Sequence, residues 1–300
     1  MADPIRAIIG EEMTRPVAAA VTGAAQAVRV PHQRAAVAVL FYGSCLRLPE
    51  ADLSDNLLDF YVIVDDYRAA YDKRWLAVAN KLLPPNAFYR ETPWQGGTIR
   101  SKYVVISLAD FERGCAPVTR NVSIWARFAQ PARIVWARDA AATDRMLDAC
   151  SNAVRTMFRN AWPLEPSSRD AATIWTRAFR ETYAAELRPE DAGRARHIFD
   201  ADRARYEQLT PLLIEALKHP YQTRDAALAA WRARRRLGKT LNLARIVKGT
   251  FTFDGGLDYA LWKIERHSGI TVPVTDWQRR HPLLAAPSLA WRLYRMGAFR

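Results

Sequence analysis

The stretch YGSCLRLPEADLSDNLLDFYVIVDD, residues 42–66, joins a small-residue turn to a series of carboxylates. At such a turn Gly43 lets the backbone come close to a phosphate, and Ser44 with its neighbouring amides can donate hydrogen bonds to phosphate oxygens. Carboxylate oxygens suit magnesium, which neutralises the charge that develops in an in-line displacement at phosphorus. Two carboxylates two residues apart on a strand share a face. Asp59, however, has Leu57 two residues before it and Tyr61 two after it, so the second acid of such a pair is absent. Asp55 lies just upstream, in a segment able to turn back towards Asp59. Asp65 shares a face with Asp59 but lies roughly 20 Å further along an extended strand. Asp65 and Asp66 are therefore expected at the strand's other end, and a bulge or another element would have to complete a metal site at Asp59.

The elements that must hold these groups can be read from the pattern. AAVAVLFYG, leading into the turn, is an apolar run of strand length, and LLDFYVIV after it is rich in β-branched and aromatic residues. SKYVVISL, following a Gln-Gly-Gly turn signal at Gln95, and ARIVWA read as two further strands, with a helix over about residues 69–83. The first 30 residues read as helix up to the break at Pro31. Beyond about residue 140 the period becomes helical through DRMLDACSNAVRTMFRNAW, a Pro/Ser break at PLEPSS, and SRDAATIWTRAFRETYAAEL up to Pro189. Three more helical stretches follow: AGRARHIFDADRARYEQLTPLLIEAL, RDAALAAWRARRR and GLDYALWKIERHSG, with Lys248 and Gly249 in a loop between the last two. The expected fold is an α/β (α+β) domain over 1–142, a mainly helical second domain over 143–286, and a C-terminal amphipathic helix over 287–300.

Composition narrows the function classes. A chain of 300 residues, 50% hydrophobic and 25% charged, is globular, and no apolar run reaches the length of a membrane span. The N-terminus lacks the order of a signal peptide, so an intracellular location is expected. Cys45, Cys115 and Cys150 form neither a disulfide framework nor a zinc-site spacing. The net charge is +13; over residues 221–300 fifteen Lys and Arg stand against five acids, which implies a polyanionic partner, nucleic acid or an anionic membrane face. In PSLAWRLYRMGAFR, residues 287–300, Leu289, Leu293, Met296 and Phe299 fall near one helical face. Trp291 and Tyr294 lie beside them, and Arg292, Arg295 and Arg300 are available to headgroups, as in an in-plane membrane helix. The five histidines have no metal-ligand spacing and are given no catalytic role.

The order of strand, Gly-Ser, spacer, Asp and strand resembles the nucleotidyltransferase superfamily. Several islands together resemble one of its families, the mitochondrial translocator assembly and maintenance proteins, which are phosphatidate cytidylyltransferases. They are YGS at 42–44, LLDFYVIVDD at 57–66, IRSKYVVIS at 99–107, WARFAQPARIVW at 125–136, YAAELRPEDAGR at 183–194 and KGTFTFDGG at 248–256. The resemblance implies a nucleotidyltransferase domain followed by a winged-helix-like one, and a magnesium-dependent reaction of CTP with phosphatidate that releases pyrophosphate. It implies that Gly43 and Ser44 cradle the triphosphate, and that Asp59, with Asp55 second, holds magnesium. Lys102, Arg127, Arg188 and Lys248 would meet phosphate oxygens or a headgroup, and Glu186 would face the cleft. The implied partners are CTP and phosphatidate in an anionic membrane, without nucleic acid, the protein lying peripherally on a membrane's inner face through Trp291, Arg292, Tyr294, Arg295 and Phe299. The rival readings are a nucleotidyltransferase with another acceptor (RNA, a small molecule or a protein) and a non-catalytic relative that binds RNA through RARRR at 232–236.

Overall fold

A computed structural model describes residues 3–186, 193–252, 273–280, 288, 291, 292 and 295. Five strands form one mixed sheet: β1 (Ala36–Tyr42), β2 (Leu57–Val64), β3 (Asn86–Trp94), β4 (Gly97–Ser107) and β5 (Ala132–Ala137). The order is β3-β4-β2-β1-β5; β2 and β4 run parallel and the other neighbours antiparallel. Both faces are covered, which is why β1 and β2 read as unbroken apolar runs rather than alternating ones. On one face Leu40, Tyr61, Ile63 and Ile106 pack under helices; on the other Phe41, Phe60, Val62 and Val105 do.

The helices α1 (Pro4–Met13), α5 (Leu108–Cys115), α6 (Trp125–Phe128) and α7 (Ala140–Ala161) cover the first face. The helices α2 (Ala19–Arg29), α3 (Tyr67–Ala70) and α4 (Arg74–Leu82) cover the second. Asp139 caps α7, accepting from the Ala142 amide at 2.7 Å, and the helix buries Met146, Cys150, Val154 and Met157. The boundary expected after residue 142 falls in the first turn of α7. One core cluster runs across it, from Ile5 through β1 and α7 to Phe179 and Trp231. Buried Glu12 on α1 reaches Arg205 in the second half, and Arg205 also donates to the Ala129 carbonyl at 2.9 Å.

Two features depart from the pattern reading. The strand β3 was not expected, because Arg90, Glu91 and Pro93 interrupt its apolar pattern; it lies at the sheet edge, where proline and charge are tolerated. The hairpin to β4 turns on Gln95 and Gly96, both at positive φ (46° and 79°), as the tightest hairpin loops require. The second departure is in the helical half. After α8 (Ala171–Ala184), the short α9 (Arg194–Ala201) and α10 (Arg203–Leu217), a single α11 runs over Arg224–Thr252. It passes straight through Gly249, where a loop was expected. One helical glycine costs about 1 kcal/mol, and Arg245 and Lys248, both docked on the Pro84–Pro85 turn, hold this end of the helix in place. Among the described residues no strand follows Ala137, and no helix is long and apolar enough to cross a membrane.

Candidate active site

Tyr42, the last residue of β1, is the register partner of Asp59 on β2. The chain then turns at Gly43, whose φ of 94° is in the left-handed region that a side chain rarely adopts, and enters a 3-10 helix over Ser44–Arg47. A Cβ at position 43 would stand 3.3 Å from Asp59 Oδ2. The glycine is thus required by its backbone conformation and by the carboxylate packed against it. On the other side of β2, Lys102 of β4 is the register partner of Asp59, and partners in a parallel pair project to the same face.

Above this strand end lies a cavity of about 560 Å³. Its sheet side carries Tyr42, Gly43, Ser44, Arg47 and Asp59; α6 contributes Arg127; the end of α8 contributes Thr182, Tyr183 and Glu186. The helix α9 adds Arg194, His197, Ile198 and Ala201, a one-sided stripe at helical spacing. Arg127 links the walls. Its Nη1 donates to Tyr61 Oη and to the Ser123 carbonyl, both at 3.0 Å, while Nη2 stands 3.8 Å from Glu186 Oε1. The guanidinium lies over the rings of Tyr42 and Tyr61, 5.5 and 5.9 Å from their centroids. Burial pulls its pKa down, but Tyr61, Tyr42 and Glu186 outweigh that and hold it well above the usual arginine value. Behind it Arg245 donates to Ser123 Oγ at 3.2 Å and to the Pro84 carbonyl at 3.0 Å. Burial lowers the Arg245 pKa, and the charge of Arg127 adds to the effect. At the sheet side Arg47 is ion-paired with Asp202, between α9 and α10.

Of the residues expected from sequence, Gly43, Ser44, Asp59, Arg127 and Glu186 meet at this one cavity, with Lys102 beside Asp59. Asp55 does not join them: it is exposed in the turn before β2 and does not line the cavity. Lys248 belongs to α11 rather than a loop, and its Nζ donates to the Leu83 and Pro85 carbonyls (2.7 Å for Pro85) and to Asn86 Oδ1 at 3.0 Å. Asp66 caps α3 and Asp65 pairs with Arg138, both at the far end of β2 as expected. Arg188, Tyr294 and Phe299 lie outside the described residues; Trp291 and Arg295 are exposed helical positions, and Arg292 donates to the Pro273 carbonyl at 3.2 Å. Sequence reasoning missed Tyr42, Arg47, Tyr183, Arg194 and His197. Tyr42 precedes the Gly-Ser turn, Arg47 ends the 3-10 helix that follows it, and the stripe 194, 197, 198, 201 has helical spacing, so these signals were present in the chain; Tyr183 had none of its own.

The donor set bears on magnesium. No three His, Cys, Asp or Glu side chains converge among the described residues. Tyr61 and Lys102 occupy the places on and beside β2 where further carboxylates would complete a protein cage. Magnesium needs no such cage: it keeps waters and takes one or two carboxylates together with substrate phosphates. Asp59 and Glu186 are the carboxylates that line the cavity, a donor set that fits an ion held mainly through a bound ligand's own oxygens.

Among the solved structures similar to the chain is a nucleotidyltransferase-like protein from Exiguobacterium sibiricum 255-15, 14% identical over 92% of this chain and 92% of that one, with a TM-score of 0.28. At that level the likeness assigns no residue a role. Neither protein-family models nor curated proteins match the chain. The resemblance to the translocator assembly and maintenance family rests on the residues quoted above.

Proposed function

We propose that the chain is a nucleotidyltransferase that binds a nucleoside triphosphate in the cavity over Asp59, and that it joins CTP to phosphatidate, releasing pyrophosphate and forming CDP-diacylglycerol. The observation that carries the reading is the contact between the Gly43 turn and the Asp59 carboxylate, at the floor of a cavity walled by Arg47, Arg127 and Arg194. The bare backbone at Gly43 and Ser44 lets a phosphate lie along the turn, and the three guanidinium groups supply charge-assisted donors. CTP and phosphatidate as the substrates are supported by the sequence islands alone.

A phosphatidate oxygen attacks the α-phosphorus, a new P–O bond forms, and the bond to the bridging oxygen breaks to release pyrophosphate. The nucleophile is already an anion, so no side chain has to remove a proton. The protein's work is alignment and screening of two anions, with Arg127 and Lys102 as fixed charges close to Asp59. Magnesium, when bound, neutralises charge on the phosphates, and Asp59 is the residue that would hold it.

One observation favours a second reading, transfer to a hydroxyl acceptor: His197 lines the cavity, and a hydroxyl, unlike a phosphate, needs a base. A single assay separates the two. Labelled CTP, magnesium and phosphatidate vesicles are incubated with the protein or its Asp59→Ala variant, beside ATP, GTP and UTP. CTP-specific lipid product that falls at least about a hundredfold in the variant is the expected result. Undiminished product from Asp59→Ala removes the site assignment, and nucleotide binding without any lipid product moves the acceptor to a hydroxyl.

A further inference from the structure

The helix α4 presents Trp75, Val78 and Leu82 to solvent at 47%, 56% and 79% exposure, a stripe at i, i+3, i+7, while Ala77 and Asn80 form its buried side. An amphipathic helix ordinarily turns such a stripe inward. Alongside it α11 carries Leu243 and Val247, 59% and 54% exposed, and the two helices pack together where Lys248 is bonded to the carbonyls that follow α4. These five residues form apolar exteriors on two joined helices. None of them lines the catalytic cavity.

Their surroundings are basic. Lys73, Arg74 and Lys81 are exposed on and just before α4, and Arg232, Arg236 and Lys239 continue the outer stripe of α11 that includes Leu243 and Val247. The helix α4 carries no acid, the nearest in sequence being Asp72 just before it, and α11 has none after Asp225. A nucleic acid would use the cations and leave Trp75, Leu82 and Val247 against water. An anionic bilayer uses both classes at once, apolar side chains in the acyl boundary and cations at the headgroups.

We infer that the joined outer faces of α4 and α11 are a docking surface for an anionic lipid bilayer, separate from the C-terminal segment 287–300. The inference stands on the exposure and charge of this face and does not depend on which reaction the cavity performs. The lipid contact is shallow and reversible, and it weakens as salt is added.

The test uses the full chain in co-flotation with phosphatidylcholine vesicles with and without phosphatidylglycerol, so that no substrate of the proposed reaction is present. Wild type is expected to float with the anionic vesicles and not with the neutral ones. Val78→Gln with Leu82→Gln should weaken that binding about tenfold or more, from two lost apolar insertions. Lys81→Glu with Lys239→Glu should weaken it about tenfold or more. The altered side chains are exposed, so melting temperatures should be retained; Val118→Gln, an exposed apolar position in the turn after α5 and on neither helix of this face, should leave binding unchanged. Failure of wild type to bind anionic vesicles overturns the inference, as does undiminished binding by the Gln pair. If only the Glu pair loses binding, and loses RNA equally, the face is a general polyanion surface and the inference is overturned.

Discussion

Gly43 carries two constraints that no other residue type meets together. An alanine there must hold a backbone of φ 94° and ψ −168° that is essentially confined to glycine, at a cost of about 1–3 kcal/mol, and its methyl presses on Asp59 Oδ2. Gly43→Ala is expected to lower unfolding stability by about that amount in urea titrations and to depress transfer more than the stability loss accounts for, because the carboxylate has to give way. The labelled-CTP transfer assay, run on the folded fraction of the variant, measures the second effect. Lys248 gives a pH signature. Burial, with help from Arg245, brings its pKa from 10.5 down to about 8. Between those values the unfolded chain holds a proton that the folded chain has released, so raising the pH favours the folded state. The stability difference between wild type and Lys248→Met is therefore expected to shift in favour of wild type as pH rises from 8 to 10.5, and to be flat below 8. Chemical denaturation at each pH reads it. At this scale the sequence displayed Gly43, Ser44, Asp59, Arg127 and Glu186 but misread Lys248, because a lysine beside a glycine looks the same in a loop and at a docked helix end.

The elements explain how distant segments reach one cavity. Gly238 of α11 lies so close to α8 that a Cβ there would stand 2.2 Å from the Ala185 carbonyl oxygen. That contact fixes the end of α8, and with it Tyr183 and Glu186. An alanine at an open helical position would gain about 1 kcal/mol; here overpacking against backbone, about 1–3 kcal/mol, outweighs it. Gly238→Ala is expected to destabilise and, by moving Glu186 relative to Arg127, to raise KM for the nucleotide with little change in kcat. Steady-state kinetics on the folded variant separates this from simple loss of protein. Element types were legible where one pattern ran unbroken, an apolar run in β1 and β2 and a helical period in α7 and α8. The edge strand β3 was not, since its Arg90, Glu91 and Pro93 serve an edge whose position only the assembled sheet defines.

The described residues before and after position 142 are drawn together by contacts that cross the expected boundary there. Trp125 packs against Trp231 with ring centroids 6.0 Å apart, and Glu12 of the first helix meets Arg205 of α10. Unfolding of the described core is expected to be one transition: tryptophan fluorescence and far-ultraviolet circular dichroism should give coincident urea curves. Two separated curves would show that the helical half melts alone. The sequence indicated a change of period near residue 140, but a change of period does not reveal that α7 roofs the sheet it follows. The packing of the two halves has a further consequence for the cavity between them. Arg127 already faces Glu186, and Arg47 already faces Asp202. An arriving triphosphate would exchange one anionic partner for another instead of neutralising isolated cations, so ionic strength should affect its capture less than the number of arginines suggests, while the carboxylates act as stand-ins that keep each guanidinium aimed between turnovers.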